Sequence, residues 1–345
     1  MRLLSVTSVR NEAPYLLEWI AWQQLIGITD LLVYSNDCDD GTDRLLDRLA
    51  AEGVLRHAQA ERRPGKSIQW SALKAAWQHE LRRQADWMLI SDVDEFPVIH
   101  AGEGRIADLL SSVPENADAI ALAWRLFGAG GVARIVDRPT VETFIRCAPV
   151  GVMHPIAATF FKSLFRPAAF GGPGVHRPRH KKDSAPVWIN GSGNPMDPVV
   201  AENDKRLSLI GTAEHRSLAE MHHYSLRSAQ SYLVKSERGL PNRSDKRVDL
   251  GYWVERNFNS EENRAAQRHL PQLDARIEAL KGLPGVGELH QAGFDWHRTR
   301  FRHLLARQPY YDLFCQILFA SDSAVLTQSE QISLLRMFSK VKPAE

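Results

Sequence analysis

Apolar residues first run together from Leu3 to Val9. They then recur at helical spacing as Tyr15, Leu16, Trp19, Ile20, Trp22 and Leu25, and run together again from Leu31 to Tyr34. This pattern predicts strand, helix, strand. Arg10-Asn11-Glu12 breaks the first strand, Pro14 suits the first turn of the helix, and Gly27 stops it. The second strand, Asp30 to Ser35, ends in an acidic turn, Asn36 to Asp43, which caps a helix over Arg44 to Ala51. Gly53 closes that helix, and Val54 to His57 reads as a third strand. A loop through Arg62 and Lys66 leads to a long helix predicted from Ser67 to Gln84, and then to the apolar strand Trp87-Met88-Leu89-Ile90-Ser91.

Strands alternating with helices at this length imply an α/β chain with a mostly parallel sheet and helices on both faces. Such sheets bind ligands beyond the carboxyl ends of their strands. Arg10-Asn11-Glu12, the turn around Asp37, and Asp92-Val93-Asp94-Glu95 all lie at strand carboxyl ends, so three polar clusters fall on one rim. Further on, Ala119 to Trp124 and Thr159 to Phe165 read as strands. Phe170 to Pro198, rich in Gly, Pro and basic residues including His176, reads as a loop able to meet phosphate or an acceptor. Glu220 to Tyr224 precedes a helix assigned Arg227, Lys235 and Arg238, and from about Ser260 the chain turns mostly helical.

Composition narrows the function classes. The 345 residues are 44% hydrophobic and 24% charged, ordinary for a globular protein. With 43 basic and 41 acidic side chains the net charge is +2, which argues against a nucleic-acid partner. The three scattered cysteines, Cys38, Cys147 and Cys315, form neither a disulfide framework nor a zinc spacing. With no signal-peptide pattern and no apolar run of membrane-spanning length, the sequence reads as cytoplasmic, with peripheral membrane contact left open.

Asp92 and Asp94 carry the chemistry. Side chains two apart on an extended chain point to one side, so the two carboxylates are expected to converge. Like charges at one point need a counter-charge to stay ionised, and a hard divalent cation, Mn²⁺ or Mg²⁺, supplies it through oxygen ligands.

Five pieces stand in order along residues 1–240: Val9-Arg10-Asn11-Glu12, Ser35-Asn36-Asp37 with Asp40-Gly41-Thr42-Asp43, Asp92-Val93-Asp94-Glu95-Phe96, Trp124-Arg125-Leu126-Phe127-Gly128, and His223-Tyr224-Ser225-Leu226-Arg227-Ser228. With these pieces the chain resembles the GT-A fold glycosyltransferases of the family 2 type, with kinship to family 92. The resemblance implies a catalytic domain over 1–258, with a nucleotide-sugar half at 1–96 and an acceptor half at 97–258, followed by a helical extension at 259–345. It also implies a nucleotide-sugar donor, taken as a UDP-sugar, and a glycan, lipid-linked or protein acceptor, with inversion at the anomeric carbon. Asp94 would be the most direct ligand of Mn²⁺ or Mg²⁺, with Asp92 on the ribose or on the metal through water. His223, or alternatively His222, would be a third ligand. Arg10, Asn11, Glu12 and Asp37 would line the donor pocket, and Arg227, Lys235 and Lys66 are candidates to neutralise the leaving diphosphate. Trp124, Phe127 and His176 fall on the acceptor side. No acidic motif marks the base, so Glu95, Asp137, Glu142 and Asp183 are all candidates, with Glu95 alternatively buttressing the metal site.

A sugar nucleotidyltransferase would also use strand-end carboxylates. It usually carries a glycine-rich loop after the first strand, where this chain has Arg10-Asn11-Glu12-Ala13-Pro14. A non-catalytic nucleotide-sugar binder is the third reading.

Overall fold

A computed structural model describes residues 1–62, 67–210, 214–239 and 248–341. The elements that place the site are β1 (Leu3–Val9), α1 (Ala13–Leu25), β2 (Asp30–Ser35), α2 (Thr42–Ala51), β3 (Arg56–Gln59), α3 (Ile68–Gln78), α4 (Glu80–Gln84), β4 (Trp87–Ile90), β5 (Glu95–Ile99), β6 (Ala119–Leu126), β7 (Phe161–Phe165), β8 (Trp188–Asn190), β9 (Ala219–His223), α5 (Ala229–Arg238), α6 (Leu250–Val254), α7 (Leu270–Lys281), α8 (Val286–Leu305), α9 (Gln308–Phe319) and α10 (Gln328–Phe338).

The strands form one sheet in the order β3-β2-β1-β4-β7-β6-β9-β5, with β8 pairing beside β6. β1 runs parallel to β2 and β4, β2 to β3, and β6 to β9. β7 is antiparallel to β4 and β6, and β5 to β9. The expected α/β architecture, mostly parallel and with a helical C-terminal part, is therefore present. β4 is buried at all four positions, as suits a central strand covered on both faces.

α1 is apolar nearly all round because it is covered on both sides. One side meets the sheet, and α7 and α8 pack on the other. Leu273, Ile277, Leu280, Val286 and Phe294 from those helices join Leu16, Trp19 and Ile20 in the same apolar core. Helices α7 and α8, beyond 258, are thus built onto α1 and share its core.

Three local expectations are corrected. The third strand is Arg56–Gln59, two residues later than predicted, because Val54 N–H closes the end of α2 on the Leu49 carbonyl after Gly53 turns at φ 74°. The long helix breaks at His79, whose extended backbone ends α3 and whose Nδ1 accepts from Leu81 N–H to start α4. The stretch from Phe170 to Pro198, read as a loop, holds the short strands Phe170–Gly172, Arg179–His180 and β8 and is pinned to the body of the protein. Arg177 is buried over the Trp188 ring and donates to the carbonyls of Val200, Ala201, Asn203 and Arg206. Burial pushes its guanidinium down to about 10.

A candidate active-site cleft

A cleft of about 1510 Å³ opens over the carboxyl edge of the sheet. Of the residues singled out from sequence, Arg10, Glu12, Asp37, Asp92, Asp94, Trp124, His176, His223 and Lys235 line it. Asn11, Glu95, Phe127 and Arg227 lie behind that lining, and Lys66 lies outside the described residues.

The two aspartates are not on an extended strand. Glu95 N–H donates to the Asp92 carbonyl at 3.0 Å, closing a turn between β4 and β5, so the alternation that predicted convergence does not apply. Each carboxylate instead has its own lysine. Lys162 from β7 reaches Asp92 Oδ2 at 3.3 Å, and Gln69 Nε2 donates to its Oδ1. Lys235 from α5 donates to Asp94 Oδ2 at 2.8 Å and to the Ser225 carbonyl.

The other oxygen of Asp94 faces His223 Nε2 at 3.7 Å. Antiparallel pairing of β9 with β5 sets His223 opposite Glu95, and Tyr224 N–H donates to the Asp94 carbonyl, so the sheet itself fixes this approach. Burial pushes Asp94 upward, but the charges of Lys235 and Arg227 outweigh it and hold the carboxyl well below its ordinary range. Burial drives His223 down to about 3 against the pull of Asp94, which leaves the imidazole neutral, the form that ligates metals. His223 Nδ1 is buried without a hydrogen-bond partner. His222 is turned away, bonded to Glu220 at 2.9 Å and Tyr224 at 3.2 Å. Among the described residues no three His, Cys, Asp or Glu side chains group as a ligand set, so the chain itself offers a facing carboxylate and imidazole.

Glu95 is wholly buried beneath the turn. It accepts from Asp92 N–H at 2.7 Å and pairs with Lys162 at 3.0 Å. Burial raises its carboxyl although Lys162 opposes the shift, and Asp92 and Asp94 raise it further. It supports the turn and does not reach the cleft. Asp137, Glu142 and Asp183 do not line the cleft either. Besides Glu12, Asp37, Asp92 and Asp94, the lining carboxylates are Asp204 and Glu255.

Beside the β1–α1 turn, Glu12 is clamped by Arg227 at 3.0 Å and by Arg238. Arg227 lies just before α5 with φ 54°, covers the Tyr15 ring at 3.5 Å, and donates to the Val93 carbonyl. One buried carboxylate thus ties the β1–α1 turn to the Asp92–Asp94 turn. Asn11, at φ 53°, accepts from Asp39 N–H and shapes the neighbouring acidic turn, where Asp37 pairs with Arg62 at 2.6 Å. Across the cleft, the Trp124 ring lies 4.2 Å from His223 and 5.1 Å from His176, whose Nδ1 is 3.0 Å from the Phe161 carbonyl.

Sequence reasoning missed Lys162, although a lone lysine among Phe160, Phe161, Leu164 and Phe165 was a signal of a buried charge partner. It also missed Tyr252, Arg256 and the tail residues Ser323, Leu326 and Phe338, all of which line the cleft. No helix among the described residues is long and apolar enough to cross a membrane.

The family model for glycosyltransferase family 92 matches residues 4–190. A family 92 protein of Oryza sativa subsp. japonica is 28% identical over 174 residues, covering 47% of this chain and 26% of the rice protein. One of Ricinus communis is 29% identical over 114 residues, covering 31% of this chain and 18% of its own. The chain therefore spans about a quarter or less of the length of these relatives. Among solved structures, S. aureus TarS 1–349 aligns with 90% of this chain and 92% of its own at 15% identity and a TM-score of 0.34. Glucosyl-3-phosphoglycerate synthase from Mycobacterium tuberculosis, in complex with Mn²⁺, UDP and glucosyl-3-phosphoglycerate, aligns with 49% of this chain and 58% of its own at 17% identity and a TM-score of 0.28.

Proposed function

This chain belongs to glycosyltransferase family 92, and from that premise we propose that it transfers a sugar from a nucleotide-diphosphate donor to an acceptor hydroxyl within the cleft. The observation that carries the reading is the facing pair of Asp94, held ionised, and His223, held neutral, with Lys235 against the same carboxylate. The ionised oxygen of Asp94 suits Mn²⁺ or Mg²⁺, a neutral imidazole nitrogen beside it can complete the contact, and the orphaned second nitrogen of His223 leaves the ring uncommitted elsewhere. Asp94 and His223 would hold the ion. When bound, it would supply positive charge at the diphosphate as the anomeric C–O bond breaks.

The residues of the chain perform the remaining work. Arg10, Asp37 and Arg62 receive the nucleoside end of the donor, taken as a UDP-sugar. Lys235 and Arg238 line the floor and stabilise negative charge that grows on the leaving diphosphate, a contribution larger in the transition state than in the ground state. Trp124, Phe160 and His176 give the sugar and acceptor an aromatic wall. Inversion requires a base, and this reading draws it from Asp204 or Glu255. Amide replacement at one of these two positions is expected to lower kcat by about a hundredfold and at the other to leave it nearly intact. Equal, small effects at both would remove carboxylate base catalysis from the scheme.

Calorimetry tests the metal arm directly. UDP should bind wild-type protein more tightly with Mn²⁺ than without it, and His223→Ala should erase the difference by at least about tenfold in Kd. Unchanged metal-dependent affinity in that variant, with a loss in His222→Ala instead, would reassign the ligand. A donor-hydrolysis screen with UDP-, GDP-, dTDP- and CMP-sugars tests the activity itself, and no turnover of any of them with Mn²⁺ or Mg²⁺ present would reject it.

A further inference from the structure

The cleft is lined by charged and by apolar side chains. Besides its charged lining, its wall includes the apolar side chains Ile156, Phe160, Val254, Phe258, Leu326 and Phe338. Two ties from the C-terminal tail assemble that wall. Gln331 of α10 accepts from the N–H groups of Met153 and His154 at 2.7 and 3.1 Å and donates to the Leu326 carbonyl, which seats the helix on the 153–157 loop. Ser323 N–H donates to the Asn257 carbonyl and its hydroxyl to that of Val254, which seats the 323–326 stretch on the end of α6.

The apolar wall continues outward as an apolar rim. Phe338 lines the cleft yet is 58% exposed, Met337 is 60% exposed and Val341 67%. Leu334, Met337 and Phe338 share one side of the last turns of α10, which ends at Phe338; the exposed Arg336 stands on the other side, and the exposed Lys340 and Val341 follow the helix end. Exposed aromatic and aliphatic side chains interleaved with basic ones at a helix end are the pattern of a segment that lies in a lipid interface. Phe319, 87% exposed at the end of α9, adds a second apolar point beside α6, since the next carbonyl, of Ala320, accepts from Trp253 Nε1.

Resting on the glycosyltransferase reading, we infer that this rim docks on an anionic lipid surface, with the cleft mouth facing it, so that the acceptor is one carried on a lipid. The continuity of Phe338 with the cleft joins the docking face to the site, and Arg336 and Lys340 match it to negatively charged headgroups.

The test is flotation of the full chain with phosphatidylcholine vesicles, with and without phosphatidylglycerol, alongside UDP calorimetry. Wild-type protein should float with the anionic vesicles, less so as salt rises. Met337→Ser/Val341→Ser and Arg336→Gln/Lys340→Gln should each reduce the floated fraction by about tenfold while UDP affinity stays unchanged. Absence of wild-type flotation, or flotation undiminished in both variants, overturns the inference even if UDP binds. A concentration-dependent dimer lost in Met337→Ser/Val341→Ser would assign the rim to a second copy of this chain and overturn it as well. Failure of UDP to bind any form marks instead the failure of the glycosyltransferase reading.

Discussion

Asp94→Asn is expected to remove metal-dependent donor turnover, a loss on the order of 10³-fold or more in kcat. The amide keeps the size and one acceptor oxygen but cannot supply the ionised donor opposite His223. The substitution also strips Lys235 of its carboxylate, at an expected stability loss of about 1–3 kcal/mol, because that lysine keeps the Ser225 carbonyl as a second partner. A companion separates the two effects. Asp94→Asn/Lys235→Met removes both charges and should recover much of the lost Tm without recovering turnover. Restored turnover in the double variant would reduce Asp94 to a structural partner of Lys235. Both quantities are measurable on the same samples, by thermal denaturation and by UDP release from the donor.

The second large effect concerns stability. Glu12→Ala should cost about 3–5 kcal/mol at neutral pH in urea denaturation, because it leaves Arg227 and Arg238 buried without their shared counter-charge. Arg227 cannot escape to water from its place over Tyr15 and against the Val93 carbonyl. Burial pushes the Glu12 carboxyl upward, but Arg238 and Arg227 outweigh it and lower it overall. A group depressed in the folded state contributes its stability above its unfolded value, about 4.3, and loses it as pH falls through the lower folded value. The gap between wild type and variant should therefore be full at pH 7 and shrink below about pH 4. A gap under about 1 kcal/mol, or one that widens on acidification, contradicts the clamp.

Much of the scaffold could be read from one dimension. The strand–helix–strand rhythm through Ala51, the stop at Gly27 and the burial of Trp87–Ile90 follow from periodicity and turn chemistry, which act between neighbours in the chain. The rim also followed, because in a parallel sheet the strand carboxyl ends all lie on one edge. Errors arose where a local rule was extended across a junction. Asp92 and Asp94 were given strand alternation, but the chain turns between β4 and β5. His79 was read through as helix although its side chain restarts the helix as a cap. Arg177 was assigned to a loop able to meet phosphate or an acceptor, yet its guanidinium is held by four carbonyls from 200–206.

The sequence alone determined the order of elements, the edge on which the polar clusters gather, and the residue types available there, since each depends on contacts within a few positions. Tertiary structure alone decided which charge meets which. Lys162 lies 70 residues from Asp92, Lys235 lies 141 from Asp94, and Arg227 lies 215 from Glu12. It also brought the tail of α10 to the cleft wall. A buried ionised group must find an opposite charge or a hydrogen bond, whatever the separation along the chain, and the packing of sheet and helices selects that partner.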